Sequence, residues 1–521
     1  MGDWGSDCAF SVDSNSGSCS AKKLVQRGTL QRFCVSPEQQ LRMPLSEGGL
    51  YSGFRAVRGS FGGCLHWVRK FATEVPLSPT MRRALALAER TDGALCGPDA
   101  SKLVVDRAPV VDSSGHSVRA REVLGVHSFY ARGSNFQIRQ PAGSQEFGVT
   151  FTDHMLLVRY RGGHWMDPLI TSRRPLELDP ASSSLQYGLQ IFEGLKAYRP
   201  DPVGPETEDV VRLFRPQENL QRMYRSAARL ALPLFDTGSM LRLIEEYVRI
   251  EADWVPVRAP DENFRAVSLY LRPCLISTDA RLGVRRAEEA LFYVIASPSL
   301  GGYYSAANNA GVTLLATEEF VRAWPGGVGD TKCGGNYALS LVAQELAHAE
   351  GCHQVLWLDP DRNVTEAGVM NFFAVTSSGE VVTAPLSKGL ILPGVMRSAV
   401  IQLIEQGRFP PGANHSSWRL VERSLSVDEL VQGIEQGRIV EAFGTGTAAM
   451  ICPVAAVKYR GRTFRLPEAS DAKRRLTWQL SRALEHLFFD PDPHFAAHPW
   501  IHTVHVSRIP QHASASHTQF G

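Results

Sequence analysis

No two of the nine cysteines, at 8, 19, 34, 64, 96, 274, 333, 352 and 452, stand in a Cys-x-x-Cys pair. That excludes the usual structural zinc spacing and a dense disulfide framework, and an odd count in a long chain fits a reducing compartment. No apolar run approaches the roughly 20 residues that a bilayer-spanning helix needs. An excess of one charge is lacking too. Lys and Arg number 55 against 53 Asp and Glu, a net of +2, so nothing draws the whole chain toward nucleic acid or an acidic membrane. There are no internal repeats. What is present is 521 residues, 44% hydrophobic and 21% charged, the profile of a soluble globular protein with length for two or three domains.

The pattern changes near residue 145. Before it, Gly, Ser and Arg are frequent and hydrophobic periodicity is intermittent, so residues 1–144 read as a mostly disordered extension. A short helical pattern at Thr80–Glu89 has little around it to pack against. From Gly48 to Thr73 there is no acidic residue, while Arg55, Arg58, Arg69 and Lys70 add positive charge. That composition is organelle-targeting in kind and suggests a mitochondrial location, with the cytoplasm as the alternative.

After residue 145 strand-like runs appear at Met155–Tyr160, Ser268–Arg272 and Ala290–Ile295. Helical spacing follows Pro216, through Leu220, Met223, Tyr224, Ala227 and Leu230, and again over Asp236–Ala252. Residues 145–300 therefore read as a small α+β domain, and the Gly- and Asn-rich 301–311 as an interdomain loop. A larger domain spans 312–490. It begins with a helix over Tyr337–Glu350, a strand at Val355–Leu358 and a turn at Asp359–Asn363. Paired strands at Asn371–Thr376 and Glu380–Ala384 follow, then a helix from Pro393 to about Gln406. Residues 491–521 show no sustained pattern and read as a tail.

Three segments of the larger domain carry chemistry. In Gly326-Gly-Val-Gly-Asp-Thr-Lys-Cys-Gly-Gly-Asn-Tyr337 one lysine sits in a glycine-dense turn before a helix, where backbone can approach a bulky ligand. Its amine can condense with an aldehyde and carry a proton. The segment lacks the Walker phosphate-loop spacing. In Val364-Thr-Glu-Ala-Gly-Val-Met-Asn371, the Glu366 carboxylate can hold a pyridine nitrogen protonated. Leu392-Pro-Gly-Val-Met-Arg397 and Phe443-Gly-Thr-Gly-Thr-Ala448 each place small residues before an expected helix start, where free N–H groups suit a phosphate or carboxylate. An amine, an acid and two anion cradles in one domain meet the needs of pyridoxal 5'-phosphate (PLP) better than any one of them alone.

Residues 146–485 resemble the branched-chain amino-acid aminotransferases of the fold-type IV PLP enzymes. The resemblance rests on Leu185-Gln-Tyr-Gly-Leu-Gln-Ile-Phe-Glu-Gly-Leu-Lys-Ala-Tyr198, Leu213-Phe-Arg-Pro216, Arg225-Ser-Ala-Ala-Arg-Leu230 and Tyr270-Leu-Arg-Pro273. It extends through Arg322–Lys332, the Glu366 segment and Glu441-Ala-Phe-Gly-Thr-Gly-Thr-Ala448. It implies a two-domain α+β / α/β fold and a homodimer. It implies transfer of the amino group of Leu, Ile or Val to 2-oxoglutarate in two half-reactions, through the pyridoxamine form of the cofactor.

Residue by residue, the resemblance implies that Lys332 carries PLP covalently and shuttles the proton, and that Glu366 partners the pyridine nitrogen. Arg229 would bind the phosphate with the N–H groups of Val395 and Met396 and the Thr447 hydroxyl. Tyr337 would bond the ring's phenolic oxygen. Tyr187, Phe192 and Tyr270 would line an apolar substrate pocket at the dimer interface, and Tyr303 would close over it. Arg272 would accept glutamate's distal carboxylate, and the Thr447 and Ala448 backbone the α-carboxylate. There are two departures from relatives. Ala449 and Cys452 stand where animal members carry a redox Cys-x-x-Cys pair, and Val369 stands where several carry a polar residue. The rivals are a D-amino-acid aminotransferase or aminodeoxychorismate lyase, against which the Tyr187–Phe192 and Tyr270–Arg272 segments argue, and a retired relative that binds a partner. The intact Lys332, Glu366 and Arg229 set argues against retirement.

Overall fold

The computed structural model describes residues 76–91, 97–106, 147–201, 209–258, 267–300, 311–407, 418–468 and 475–506. The targeting segment and Tyr303 lie outside these residues, as does all of the interdomain loop but Gly311. Two sheets organise the chain. The first holds β1 (Val104–Val105), β2 (His154–Arg161), β3 (His164–Trp165), β4 (Leu169–Ser172), β5 (Gln190–Phe192), β6 (Leu195–Tyr198), β7 (Val210–Phe214), β8 (Ser268–Ser277) and β9 (Ala290–Ser299). The second holds β10 (Val312–Thr317), β11 (Gln354–Leu358), β12 (Val364–Ala367), β13 (Met370–Thr376), β14 (Glu380–Thr383), β15 (Arg419–Glu422), β16 (Ile439–Gly446), β17 (Met450–Tyr459) and β18 (Arg462–Arg465). A last strand, β19 (Ile501–His505), returns to the first sheet.

The first sheet runs β1-β4-β2-β9-β8-β6-β7-β19, antiparallel except for the β1–β4 pair. The second runs β12-β11-β10-β17-β16-β13-β14-β15, with parallel pairs flanking β10 and at β14–β15. The helices are α1 (Pro79–Thr91), α2 (Ser183–Tyr187), α3 (Pro216–Arg229), α4 (Thr237–Ile250), α5 (Gly335–Ala338), α6 (Leu341–Ala349), α7 (Val395–Gln406), α8 (Val427–Glu435), α9 (Leu476–Phe489) and α10 (Pro493–Ala496).

Local chemistry sets the two long helices of the first layer. Pro216 opens α3 with its fixed φ and no N–H to lose, and Asp236 caps α4 by accepting the Ser239 N–H at 2.7 Å. Leu220, Met223, Tyr224 and Ala227 on α3 and Met240, Leu243, Ile244, Tyr247 and Val248 on α4 face the sheet and are buried. Each large side chain so placed contributes about 1.5–3 kcal/mol relative to exposure. A further aromatic core joins the sheets. Tyr198 of β6 stacks on Phe488 of α9 at 4.1 Å between centroids, in a cluster that includes Phe373 and Phe443 of β13 and β16.

Four segments differ from the sequence reading. The 79–91 helix has a partner after all: Met81 and Ala88 are buried, and α1 lies on α3. The 491–521 tail contains α10 and β19, which pairs residue for residue with β7. The helix expected over 337–350 is interrupted at Leu339–Ser340, where the Ser340 hydroxyl donates to the Tyr337 carbonyl at 2.6 Å and competes with the helical bond. The Phe443–Ala448 segment precedes no helix. It is the end of β16 and a tight turn into β17, closed by the Gly446–Met450 pair.

Candidate active site

Lys332 leaves the glycine loop at the seam between the sheets. Gly329 is required there, because a Cβ would stand 2.6 Å from that of Ala323 and 2.8 Å from the Gly389 carbonyl. The loop is pinned to α3 by the Lys332 N–H, which donates to the Ser226 hydroxyl at 3.1 Å, and to β5 by the Phe192 N–H, which donates to the Lys332 carbonyl at 3.1 Å. The lysine Nζ donates to the Tyr337 hydroxyl at 2.7 Å and lies 4.5 Å from the centre of the Phe192 ring. Arg272 covers the same ring at 4.7 Å and donates to the Tyr270 hydroxyl at 3.1 Å. An amine, three aromatic rings and a second cation therefore converge. Tyr270 fits against β6 only because residue 194 is glycine, whose Cβ would stand 2.1 Å from that hydroxyl.

Glu366, on β12, is buried. It pairs with Arg322 at 2.8 Å and accepts the Leu392 N–H at 2.8 Å and an Asn371 amide proton at 3.2 Å. Burial raises its affinity for a proton, with Arg322 opposing, so this carboxyl is suited to sharing a proton with a ring nitrogen. Beside it, Gly394 caps α7 without any side-chain hydrogen bond, which leaves the first N–H groups of this helix suited to the anion cradle that the sequence leads one to expect. Gly394 must be glycine, since a Cβ would meet the Asn371 amide oxygen at 2.1 Å.

Arg229, expected at this cradle, makes its described hydrogen bonds elsewhere. Its guanidinium donates to the Gly326 and Gly327 carbonyls, both at 3.3 Å, and so braces the start of the lysine loop. Two turns earlier, Arg222 donates to the Pro393 carbonyl at 3.2 Å, immediately before the cradle. It is buried and doubly bonded to Glu193, at 2.7 and 2.8 Å. Burial alone would push the Glu193 carboxyl up, but the Arg222 charge, its hydrogen bonds and the nearby Lys332 hold it below the usual range. The signal was available in the spacing, because positions 222, 225 and 229 share one helix face. What separates them is Glu193, which pairs with Arg222.

Lys196 was also missed. Its Nζ is buried, donates to the Ala448 carbonyl at 3.0 Å, and lies across the β6–β8 pair from Tyr270. Desolvation lowers its pKa to about 8. Thr447 and Ala448 occupy the β16–β17 turn that this lysine holds. Tyr187 is 45% exposed, and its hydroxyl accepts the Gly283 N–H at 2.7 Å rather than bonding within the Lys332 cluster. Val369 is exposed in the β12–β13 turn, and Cys452 is a buried free thiol whose pKa burial pushes up to about 12.

Residues 190–457 match the family described as Amino-transferase class IV. The mitochondrial branched-chain-amino-acid aminotransferase of Mus musculus is 41% identical over 374 residues, 70% of this chain and 88% of that protein. The mitochondrial protein of the same name from Schizosaccharomyces pombe is 40% identical over 68% of this chain and 80% of its own. This chain belongs to the class IV aminotransferases. It is a PLP-dependent transaminase. The fold agrees. A branched-chain aminotransferase of Thermoproteus uzoniensis, crystallised with norvaline, superposes with a TM-score of 0.51 at 23% identity, over 67% of this chain and 99% of its own. The Escherichia coli enzyme gives 0.50 at 23% identity. A mouse cytosolic relative, 42% identical over 62% of this chain and 79% of its own, shows that the group spans two compartments.

Proposed function

We propose that this aminotransferase moves the amino group of Leu, Ile or Val to 2-oxoglutarate, with Lys332 as the residue that holds PLP and carries the proton. The observation behind this reading is the convergence of the Lys332 amine, the Phe192 and Tyr337 rings and the Tyr270–Arg272 pair. An aliphatic side chain gains about 1.5–3 kcal/mol by leaving water for an aromatic wall. A distal carboxylate entering the same space needs a cation to offset its desolvation, and Arg272 is the cation beside that wall.

PLP, when bound, supplies the aldehyde that takes the amino group and a ring that withdraws electrons from the substrate. The residues divide the remaining work. Glu366 holds the ring nitrogen protonated, and Tyr337 donates to the phenolic oxygen while orienting the lysine. Arg222 replaces Arg229 as the phosphate's counter-charge, alongside the Val395 and Met396 N–H groups and the Thr447 hydroxyl. The Thr447 and Ala448 N–H groups take the α-carboxylate, with Lys196 anchoring their turn. Exposed Leu185, Tyr187, Leu282 and Val284 support a homodimer in which this apolar patch meets the second copy. The acid-free stretch at 48–73 supports a mitochondrial location.

Borohydride reduction of the PLP-supplied protein, followed by digestion, tests the site. A pyridoxyl adduct on the peptide containing Lys332 is expected. Its absence overturns the reading. Turnover of leucine with 2-oxoglutarate, and none of D-alanine, tests the substrate class.

A further inference from the structure

Residues 76–91 lie outside the family match, which begins at residue 190, yet they touch the reactive loop. Ser78 is buried and has two partners. Its hydroxyl accepts the Met81 N–H at 3.1 Å, capping α1, and donates to the Asp330 carboxylate at 2.6 Å. Asp330 is two residues before Lys332. The Ser78 Cβ also rests against Gly389, where any added Cβ would stand 2.9 Å away at a φ of +68°. Gly389 leads directly into Leu390–Gly394 and the α7 cradle. One serine therefore contacts both the loop that carries the lysine and the loop that leads to the anion site.

The helix that follows is held in place along its length. Met81, Leu85 and Ala88, spaced for one helix face, turn inward, and Met81 is 2% exposed. Ser78 and Met81 wall a small cavity with Arg225, Asp330 and Pro393. Arg225 thus sits between the segment and the cradle, and its pKa falls to about 10, first through desolvation and then through the neighbouring Arg222 charge. Removing α1 would open this wall to water and leave Asp330 without its shortest hydrogen bond.

We propose that residues 76–91 form a strap that positions the Lys332 loop and the α7 cradle from behind, with the Ser78–Asp330 hydrogen bond as its clasp. PLP retention in this chain then depends on a segment that the family match does not include. The proposal rests on the PLP reading only for its consequence. The strap's hold on the loop exists without cofactor. Ser78 and Met81 are positioning residues and touch no reacting atom.

The test uses the full chain and the variants Ser78→Ala, Met81→Asp, Asp330→Asn and the Ser78→Ala/Asp330→Asn double. Hydrogen exchange of the peptide over residues 326–334 is followed in PLP-free protein, and release of PLP from loaded protein is followed by its absorbance after dilution. Loss of a buried charge-assisted bond of about 1.5 kcal/mol corresponds to roughly a tenfold change. Ser78→Ala and Met81→Asp are expected to speed both loop exchange and PLP release about tenfold, with kcat at saturating PLP nearly retained. The double variant should be no worse than Asp330→Asn alone, because the two residues act as one contact. Parent-like loop exchange in Ser78→Ala overturns the strap even if Met81→Asp fails to fold. Fast loop exchange in a protein that forms no borohydride adduct keeps the strap and overturns the PLP reading instead.

Discussion

Lys196→Met separates what the fold prefers from what the site needs. Lys196 is 2% exposed, and the one described hydrogen bond of its ammonium goes to the Ala448 carbonyl at 3.0 Å. Burial takes its pKa from 10.5 to about 8, which at 1.36 kcal/mol per unit is a cost to the folded state of about 3 kcal/mol at pH 7. Because the folded value is below the unfolded one, this cost is complete below pH 8. It shrinks as the pH rises from 8 toward 10.5 and is absent above. Methionine removes it and leaves the Ala448 carbonyl without a donor, for about 1–3 kcal/mol. Net stability at pH 7 should be unchanged or up by about 2 kcal/mol, and the gain should vanish by about pH 10. The Thr447–Ala448 turn meanwhile loses its anchor. KM for leucine and for 2-oxoglutarate, which share an α-carboxylate, should both rise about tenfold while kcat changes little. Urea unfolding at the two pH values, with steady-state kinetics, reads both effects. A variant several kcal/mol less stable at pH 7, or one with unchanged KM, would refute the reasoning.

Arg222→Ala should weaken PLP binding at least about 100-fold, since a contact of about 3 kcal/mol to the phosphate is lost and Glu193 is left buried and unpaired. Arg229→Ala should cost less than about tenfold, as its partners are loop carbonyls; fluorescence titration of the apo proteins decides between them. Arg272→Ala should lower kcat/KM for glutamate more than for leucine, and equal losses would remove its role in dual specificity. Peroxide should leave Cys452 unmodified by mass spectrometry. Its thiol is buried with a pKa near 12, and alanine stands at 449. An oxidised Cys452 with lost activity would contradict this.

Lys332 and Glu366 could be singled out because a lysine in a glycine-dense turn and a carboxylate in a short strand-forming segment are local features. The structure bears out the α3 and α4 helices that hydrophobic spacing and capping residues announce. What failed to show was non-local. Met81, Leu85 and Ala88 have helical spacing, but nothing near them in sequence says that α3 lies beneath. Ile501–His505 carries too few apolar residues to announce a strand, and becomes one because β7 offers an open edge. Three arginines on one face of α3 are alike in spacing, and only the position of Glu193 selects Arg222. Thr447 and Ala448 were expected before a helix start, and they stand instead in a turn between two strands.

The β7–β19 pairing joins residues 210–214 to residues 501–505, across the whole of the second sheet in sequence. While a ribosome is still extending the chain, β7 has one row of backbone groups with no neighbour until the entire second sheet has been synthesised. A product that terminates before Ile501 would carry that open margin permanently, with Val211 and Leu213 beside it, and would be prone to pair with its own kind. Completion of synthesis thus becomes a condition for covering the β7 edge, and the sheet that contributes Phe192, Tyr270 and Arg272 receives its last strand from residues 501–505.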